Sequence, residues 1–201
     1  MVLCGLCPGA GTKAMLSAEA RRMMFSLFPH TETIDMAVRI LRSLLSALLL
    51  AGLILPARAE TPEEWVKLGA RVHGGFGSFI PVGIRIGEDA MKRLDAKPRE
   101  LSVVFYQGDG VPCPCSIDGV MLAIGASPGQ GSAQVAAEKS PPGTFAVVMI
   151  RPRKGGDGLK YTVPISQLPK LGQINSTIQD PLARFNAVMV LPDLFTVEPV
   201  K

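Results

Sequence analysis

In the last two thirds of the chain, apolar positions recur first at helical spacing and then at strand spacing. The first helix is predicted to start at Thr61, a capping threonine. It is followed by Pro62 in the first turn and by Glu64 three residues after the cap, a combination typical of a helix start. A second helix is predicted to begin at Pro81 and to end before Lys97. The positions that share a face are Trp65, Leu68 and Val72 in the first helix, and Ile84, Gly87, Met91 and Leu94 in the second.

Strand patterns dominate the chain after the second helix. An unbroken apolar run, 101–106, predicts a buried strand, and a helix is predicted after Cys115, with Ser116 as its cap. Three further strands are predicted at 133–137, 144–151 and 159–165. After them, a helix is predicted at 180–188 and an edge strand at 194–197, which Pro199 should end. The order α-α-β-α-β-β-β plus a helical and extended tail predicts an α+β fold, with helices packed on a mixed β-sheet.

An apolar run ahead of these elements predicts a signal peptide. Arg39 and Arg42 precede the twelve-residue run 44–55, and small residues follow it at 57 and 59. The run is shorter than the ~20 residues that a membrane-spanning helix needs, so we expect no stable membrane anchor.

The leader sets the expected organisation of the chain. We expect Met36 to be the true start, 36–59 to be the signal peptide, and cleavage between Ala59 and Glu60 to release a periplasmic or secreted protein. Residues 1–35 would be a disordered, mis-assigned upstream extension, and 60–201 a single domain.

Charge excludes one class of partner. The whole chain has a net charge of +4, but residues 60–201 carry 15 basic and 14 acidic residues, which leaves only +1. This balance does not support nucleic-acid binding. We expect a protein partner or a small molecule instead, and a homodimer is compatible with the sequence.

Candidate chemistry is concentrated between Val111 and Ser132. Cys115 is predicted at a helix N-terminus, which favours its thiolate form. Cys113 and Cys115 could be metal ligands or could form a disulfide across one residue, and Asp118 could be a ligand or only a helix-end charge. The loop marked by Gly125, Ser127, Gly129 and Gly131 follows a helix instead of leading into one, so it predicts a chain reversal and no nucleotide cofactor.

Three blocks together resemble the domain of the E subunit of formylmethanofuran dehydrogenase. The blocks are His73-Gly74 with Gly83 and Arg85, then Cys115-Ser116-Ile117-Asp118, then Gly125, Ser127, Gly129 and Gly131. The resemblance implies a compact α+β fold and a metal site built from the histidine and cysteines.

The chain departs from the family pattern at several donor positions. Gly75, Gly77 and Ala126 stand where the family has a histidine and two cysteines, and no cysteine follows Cys115 to form the zinc ribbon of many members. A role within a cytosolic enzyme complex also conflicts with the predicted leader.

The leading hypothesis is therefore an exported metal-binding or redox accessory domain. Its site would hold one zinc or copper ion through His73, Cys113, Cys115 and Asp118. The alternatives are a thiol-dependent enzyme, with Cys115 as nucleophile or redox centre and His73 as proton acceptor, and a binding module without catalytic activity. No second catalytic acid or base is evident, which favours an accessory role over an enzyme.

Overall fold

A computed structural model describes residues 35–43 and 60–201 of the chain. Residues 35–43 form a helix of exposed residues, in which Arg39 pairs with Asp35 at 2.9 Å. The predicted upstream extension, apart from its last residue, and positions 44–59 of the predicted signal peptide lie outside the described residues. Within the described ranges, no helix combines the length and the apolar character needed to cross a membrane.

Helices and strands within 60–201 follow the predicted order, which confirms the α+β fold with a mixed sheet. The helices are α1 (Pro62–His73), α2 (Phe79–Arg93), α3 (Ser116–Ile124), α4 (Leu168–Thr177) and α5 (Pro181–Met189). The strands are β1 (Leu101–Gln107), β2 (Ala133–Val135), β3 (Thr144–Pro152), β4 (Gly158–Pro164) and β5 (Thr196–Val200).

The sheet has five strands in the order β2-β1-β3-β4-β5. Strand β2 runs parallel to β1, and the other neighbours are antiparallel. Strands β3 and β4 form a hairpin. Pro199 does not end the last strand as predicted, because it lies inside β5 at the sheet edge, where a missing backbone N–H is tolerated.

The main core lies between the sheet and the helices α2 and α3. Val82 and Ile86 of α2 and Val120 and Ile124 of α3 are fully buried there. Phe105 at the centre of β1 packs in the same cluster and is 1% exposed. The helix pair therefore has a fixed position on one face of the sheet.

Helices α2 and α3 approach each other closely at two glycines. A Cβ atom on Gly83 would collide with the carbonyl oxygen of Ser116, and one on Gly119 would collide with that of Ile80. Only glycine allows the two backbones to come this close. The contact fixes the N-terminal end of α3, and with it the position of Cys115.

Helix α1 begins with the predicted capping box. The Thr61 hydroxyl accepts from the Glu64 N–H at 3.3 Å, and the Glu64 carboxylate accepts from the Thr61 N–H at 2.7 Å. Its buried face differs from the prediction, because Val72 is 53% exposed while Gly69 is buried beside the Phe76 ring. The inward stripe thus runs through Trp65 and Gly69 and turns away from Val72.

Several boundaries differ from the prediction. Helix α2 begins at Phe79, two residues before Pro81, since a proline in the first turn costs no intrahelical hydrogen bond. Cys115, and not Ser116, is the residue at the N-cap of α3, and its side chain makes no capping hydrogen bond. Helix α4 was not predicted at all. It follows the β3–β4 hairpin and is bonded to Ser78, the residue before α2.

Candidate functional site

The C-terminal end of α1 meets the N-terminal end of α3 through two side chains. His73 is the last residue of α1, and Asp118 lies in the first turn of α3. The Nδ1 atom of His73 is 2.7 Å from the Asp118 Oδ2 atom, and the two side chains are 32% and 25% exposed. With Nδ1–H donating to the carboxylate, the lone pair of a neutral imidazole lies on Nε2.

Cys113 and Cys115 form a disulfide immediately before α3, with their Cα atoms 5.3 Å apart. Cys115 is 9% exposed, whereas Cys113 is partly exposed. The preceding loop is held to the sheet by the Gln107 side-chain amide, which donates to the Val111 carbonyl at 2.8 Å. Gly110 makes the turn in this loop with a φ of 73°, in the left-handed region that favours glycine.

The disulfide and His73 line one cavity of about 610 Å³. Its walls come from the end of α1, the start of α2, the loop before α3, and α4. The lining residues are His73, Gly77, Ser78, Phe79, Ile80, Gly110, Pro112, Cys113, Cys115, Leu168, Gly172 and Asn175. A volume of this size falls within the range of small-molecule sites.

Helix α4 is attached to the start of α2 by Ser78. The buried Ser78 hydroxyl donates to the Leu171 carbonyl at 2.8 Å, and its backbone N–H donates to the Asn175 side-chain oxygen at 3.3 Å. These bonds place α4 as the wall of the cavity. This wall was not predicted from the sequence, although Pro169 in a first turn and the apolar pair Leu168 and Leu171 at helical spacing are signals of a helix.

The four predicted metal ligands are brought close in space, but in this form they do not fit a bound ion. Zinc and copper take cysteine as the thiolate, and both sulfurs are joined in the disulfide. His73 and Asp118 bind each other. Among residues 35–43 and 60–201, no group of three or more His, Cys, Asp or Glu side chains is arranged to hold a metal.

The predicted glycine loop does not line the cavity. Gly125 ends α3 with a φ of 64°, and Ser127 caps a short 3-10 turn, where its hydroxyl accepts from the Gln130 N–H at 3.3 Å. Gly131 ends that turn with a φ of 64°, and Gly129 lies within it. The loop reverses the chain between α3 and β2.

Arg85, which belongs to the first block of the resemblance, has structural contacts. Its guanidinium donates to the Leu191 carbonyl at 2.7 Å and lies 5.5 Å from the centre of the Phe195 ring. It therefore ties α2 to the segment between α5 and β5.

The pKa values of Glu88 and Tyr161 are shifted, and both residues lie away from the cavity lining. Burial raises the pKa of Glu88, even though a hydrogen bond from the Trp65 indole at 3.1 Å opposes the shift. Burial also raises the pKa of Tyr161, whose hydroxyl donates to Asp89 at 2.8 Å. Both groups join α2 to its neighbours.

The structure thus defines a small α+β domain that has a disulfide and a histidine–aspartate pair beside one cavity. The family model described as FmdE, molybdenum formylmethanofuran dehydrogenase operon, matches residues 72–183, more than half of the chain. The chain belongs to this family. The match begins one residue before His73 and includes Cys113, Cys115 and Asp118.

A solved structure shares the fold. It is the crystal structure of a protein from Syntrophus aciditrophicus that is similar to the FmdE subunit of tungsten formylmethanofuran dehydrogenase, with 20% sequence identity and a TM-score of 0.50. The similarity covers 73% of this chain and 77% of that chain. None of the curated proteins matches this chain significantly.

Proposed function

We propose that this member of the FmdE family is an exported redox accessory domain, in which Cys113 and Cys115 alternate between disulfide and dithiol. The observation that carries the proposal is that the disulfide lines the same cavity as His73, whose imidazole is bound by Asp118. Export rests on the leader predicted at 36–59, and a disulfide suits the oxidising compartment to which that leader would direct the protein.

The short loop closed by the disulfide argues against a purely stabilising role. The bond joins residues two positions apart. In the chain-entropy description, a three-residue loop contributes only about 1.6 kcal/mol, compared with ~3 kcal/mol for a fifteen-residue loop. Reactivity is therefore a better account of this bond than stability.

The two sulfurs have different roles in the proposed exchange. A thiolate of a partner dithiol attacks the partly exposed Cys113 sulfur, forms a mixed disulfide with it, and releases Cys115 as thiolate. The partner's second thiolate then attacks the partner's own sulfur in the mixed disulfide and releases Cys113. The partner is oxidised by two electrons, and the Cys113–Cys115 pair takes up two electrons and two protons. Because Cys115 lies at the N-cap of α3, the aligned peptide dipoles stabilise the leaving thiolate.

His73 moves the protons in this scheme. Its Nδ1 is occupied by Asp118, so Nε2 is the atom that can accept a proton from an incoming thiol and return it to the departing Cys115. Asp118 positions the ring and selects the tautomer, which is a positioning role.

The test is an equilibrium titration of the folded protein in buffers of defined thiol-to-disulfide ratio, with the thiols counted by alkylation and mass spectrometry. We expect a reversible change in which both thiols appear together and the fold is retained, as judged by circular dichroism. A pair that is reduced only when the protein unfolds would overturn the proposal.

A second candidate function is metal binding by the reduced form, supported by the gathering of His73 and both cysteines at one cavity. Zinc should then bind to the reduced protein and not to the oxidised one, since only thiolates are ligands. Isothermal titration with zinc of both forms, and of reduced Cys115→Ser, tests this. Equal binding to all of them would place the ion at a different site and remove this candidate.

A further inference from the structure

The chemistry of the cavity walls restricts which thiol can reach the disulfide. Apolar surface comes from Phe79, Leu168 and Pro112. Among the described residues, His73 is the only titratable one in the lining apart from the cysteines themselves. No lysine or arginine of the ranges 35–43 and 60–201 lines the cavity. An anionic thiol would therefore find no lysine or arginine there to pair with its carboxylates.

Two carboxylates just outside the lining act in the same direction. The Asp118 carboxylate contacts His73, and Asp109 is exposed beside the lining residue Gly110. Lys170 is exposed on α4, but it is two positions from both Leu168 and Gly172, and side chains with this spacing do not share a helix face. Arg184 donates to the carbonyl of the lining residue Asn175 at 3.3 Å, but its guanidinium is also bound to the carbonyls of Phe76 and Ile178, and it does not itself line the cavity. The lining itself thus offers no lysine or arginine to a negatively charged ligand.

Two glycines leave open space at the rim of the cavity. A Cβ atom on Gly110 or Gly172 would meet nothing within 4 Å, so there is room beside both residues. A peptide main chain offers donors and acceptors without charge and can approach glycine backbone closely. Apolar walls with glycines at the rim are thus complementary to an uncharged polypeptide segment.

We infer that the redox partner of Cys113–Cys115 is a cysteine of another polypeptide, flanked by uncharged, apolar residues, and not a small anionic thiol such as glutathione. This inference rests on the proposed redox function. The flanking side chains would pack on Phe79 and Leu168 while the partner sulfur attacks Cys113. The partner polypeptide is then the dithiol that is oxidised by two electrons, and its second thiolate completes the exchange.

The experiment compares three thiols as reductants of the oxidised full-length protein. They are an N-acetylated, C-amidated peptide with one cysteine between leucine and isoleucine, the same peptide with glutamates in the flanking positions, and glutathione. Rates of mixed-disulfide formation are measured by quenched mass spectrometry and are normalised to the thiolate concentration of each reagent. We expect the apolar peptide to react at least ~10-fold faster than the other two, a discrimination of about 1.4 kcal/mol.

Gly172 offers matched variants, because a side chain there enters open space in a helix. Gly172→Lys should raise the normalised rate of glutathione several-fold, whereas Gly172→Glu should lower it. Val190→Glu adds the same charge at a 79% exposed position outside the lining and should change none of the rates.

The outcomes separate the two proposals. Equal normalised rates for all three thiols, together with no effect of the Gly172 variants, would overturn the partner class while leaving the redox function standing. If no thiol reduces the pair in the folded protein, the redox function itself fails.

Discussion

His73 Nδ1 and Asp118 Oδ2 lie 2.7 Å apart, although the two residues are separated by 45 positions in the chain. The bond joins the end of α1 to the start of α3, beside the disulfide. It gives the imidazole a fixed orientation, which is the usual role of a carboxylate behind a working histidine.

Asp118→Asn should slow the reduction of the disulfide without unfolding the protein. An amide can still bond to the ring, but it no longer stabilises the charged imidazolium. We therefore expect the rate of reduction to fall roughly 10-fold, whereas His73→Gln should lower it on the order of 100-fold. Stopped-flow reduction by dithiothreitol at several pH values measures both. Asp109→Asn removes a nearby exposed carboxylate that has no contact with His73, and it should have little effect. Equal effects of the two aspartate variants would mean that only local charge matters.

The two cysteines should differ in reactivity when each is present without the other. Cys115→Ser leaves the partly exposed Cys113, and Cys113→Ser leaves Cys115, which is 9% exposed. With a bulky alkylating reagent, we expect Cys113 to react roughly 10-fold faster per thiolate, since access limits the buried sulfur. Mass-spectrometric rates at several pH values separate access from thiolate content. A faster Cys115 would reverse the proposed order of attack.

Gly119→Ala should destabilise the protein by about 2 to 3 kcal/mol, because the new methyl group would collide with the backbone of α2. Gly172→Ala is the matched control, since that glycine is also helical but has open space around it. The control should stabilise the protein by up to about 1 kcal/mol through helix propensity. Urea unfolding followed by circular dichroism gives both values. Similar results for both variants would contradict the close approach of α2 and α3.

Glu88→Gln should make stability less dependent on pH. The pKa of Glu88 in the folded protein is raised above its ordinary value of 4.5, chiefly by burial, so the folded state favours the protonated carboxyl. Below pH 4.5, the carboxyl is protonated in both states, and the variant and the wild type should be equally stable. As pH rises through the raised pKa, the wild type loses this stability, so the variant should be the more stable protein at neutral pH.

The glutamine at position 88 retains an acceptor for the Trp65 indole, so tryptophan fluorescence should change little. Glu138→Gln, at an exposed surface position, provides the control and should give a difference from wild type that is independent of pH. Urea unfolding from pH 3.5 to 7.5 makes the comparison. A constant difference for Glu88→Gln as well would contradict the role of burial.

Local patterns were sufficient to predict most of the fold. The capping box at Thr61 and the cap at Asp180, which accepts from the Ala183 N–H at 2.7 Å, are interactions between residues three apart, so they can be read from the sequence. Helix α4 was not predicted, because its position depends on Ser78, whose hydroxyl bonds to the carbonyl of Leu171, 93 positions away. Val72 was wrongly predicted on the buried face of α1, because helical spacing alone does not say which edge of an apolar stripe packs against the neighbouring element.

The sequence by itself determined the order of the elements other than α4, the α+β class, and the types of side chain available for chemistry, because these depend on periodicity, caps and composition. Only the tertiary structure decided that Cys113 and Cys115 pair with each other, that Asp118 turns to His73, and that α4 closes a cavity around them. These relationships depend on how closely α3 approaches α2 and α1. That approach is set by Gly83 and Gly119, whose missing side chains become informative only when the opposite backbone is in place.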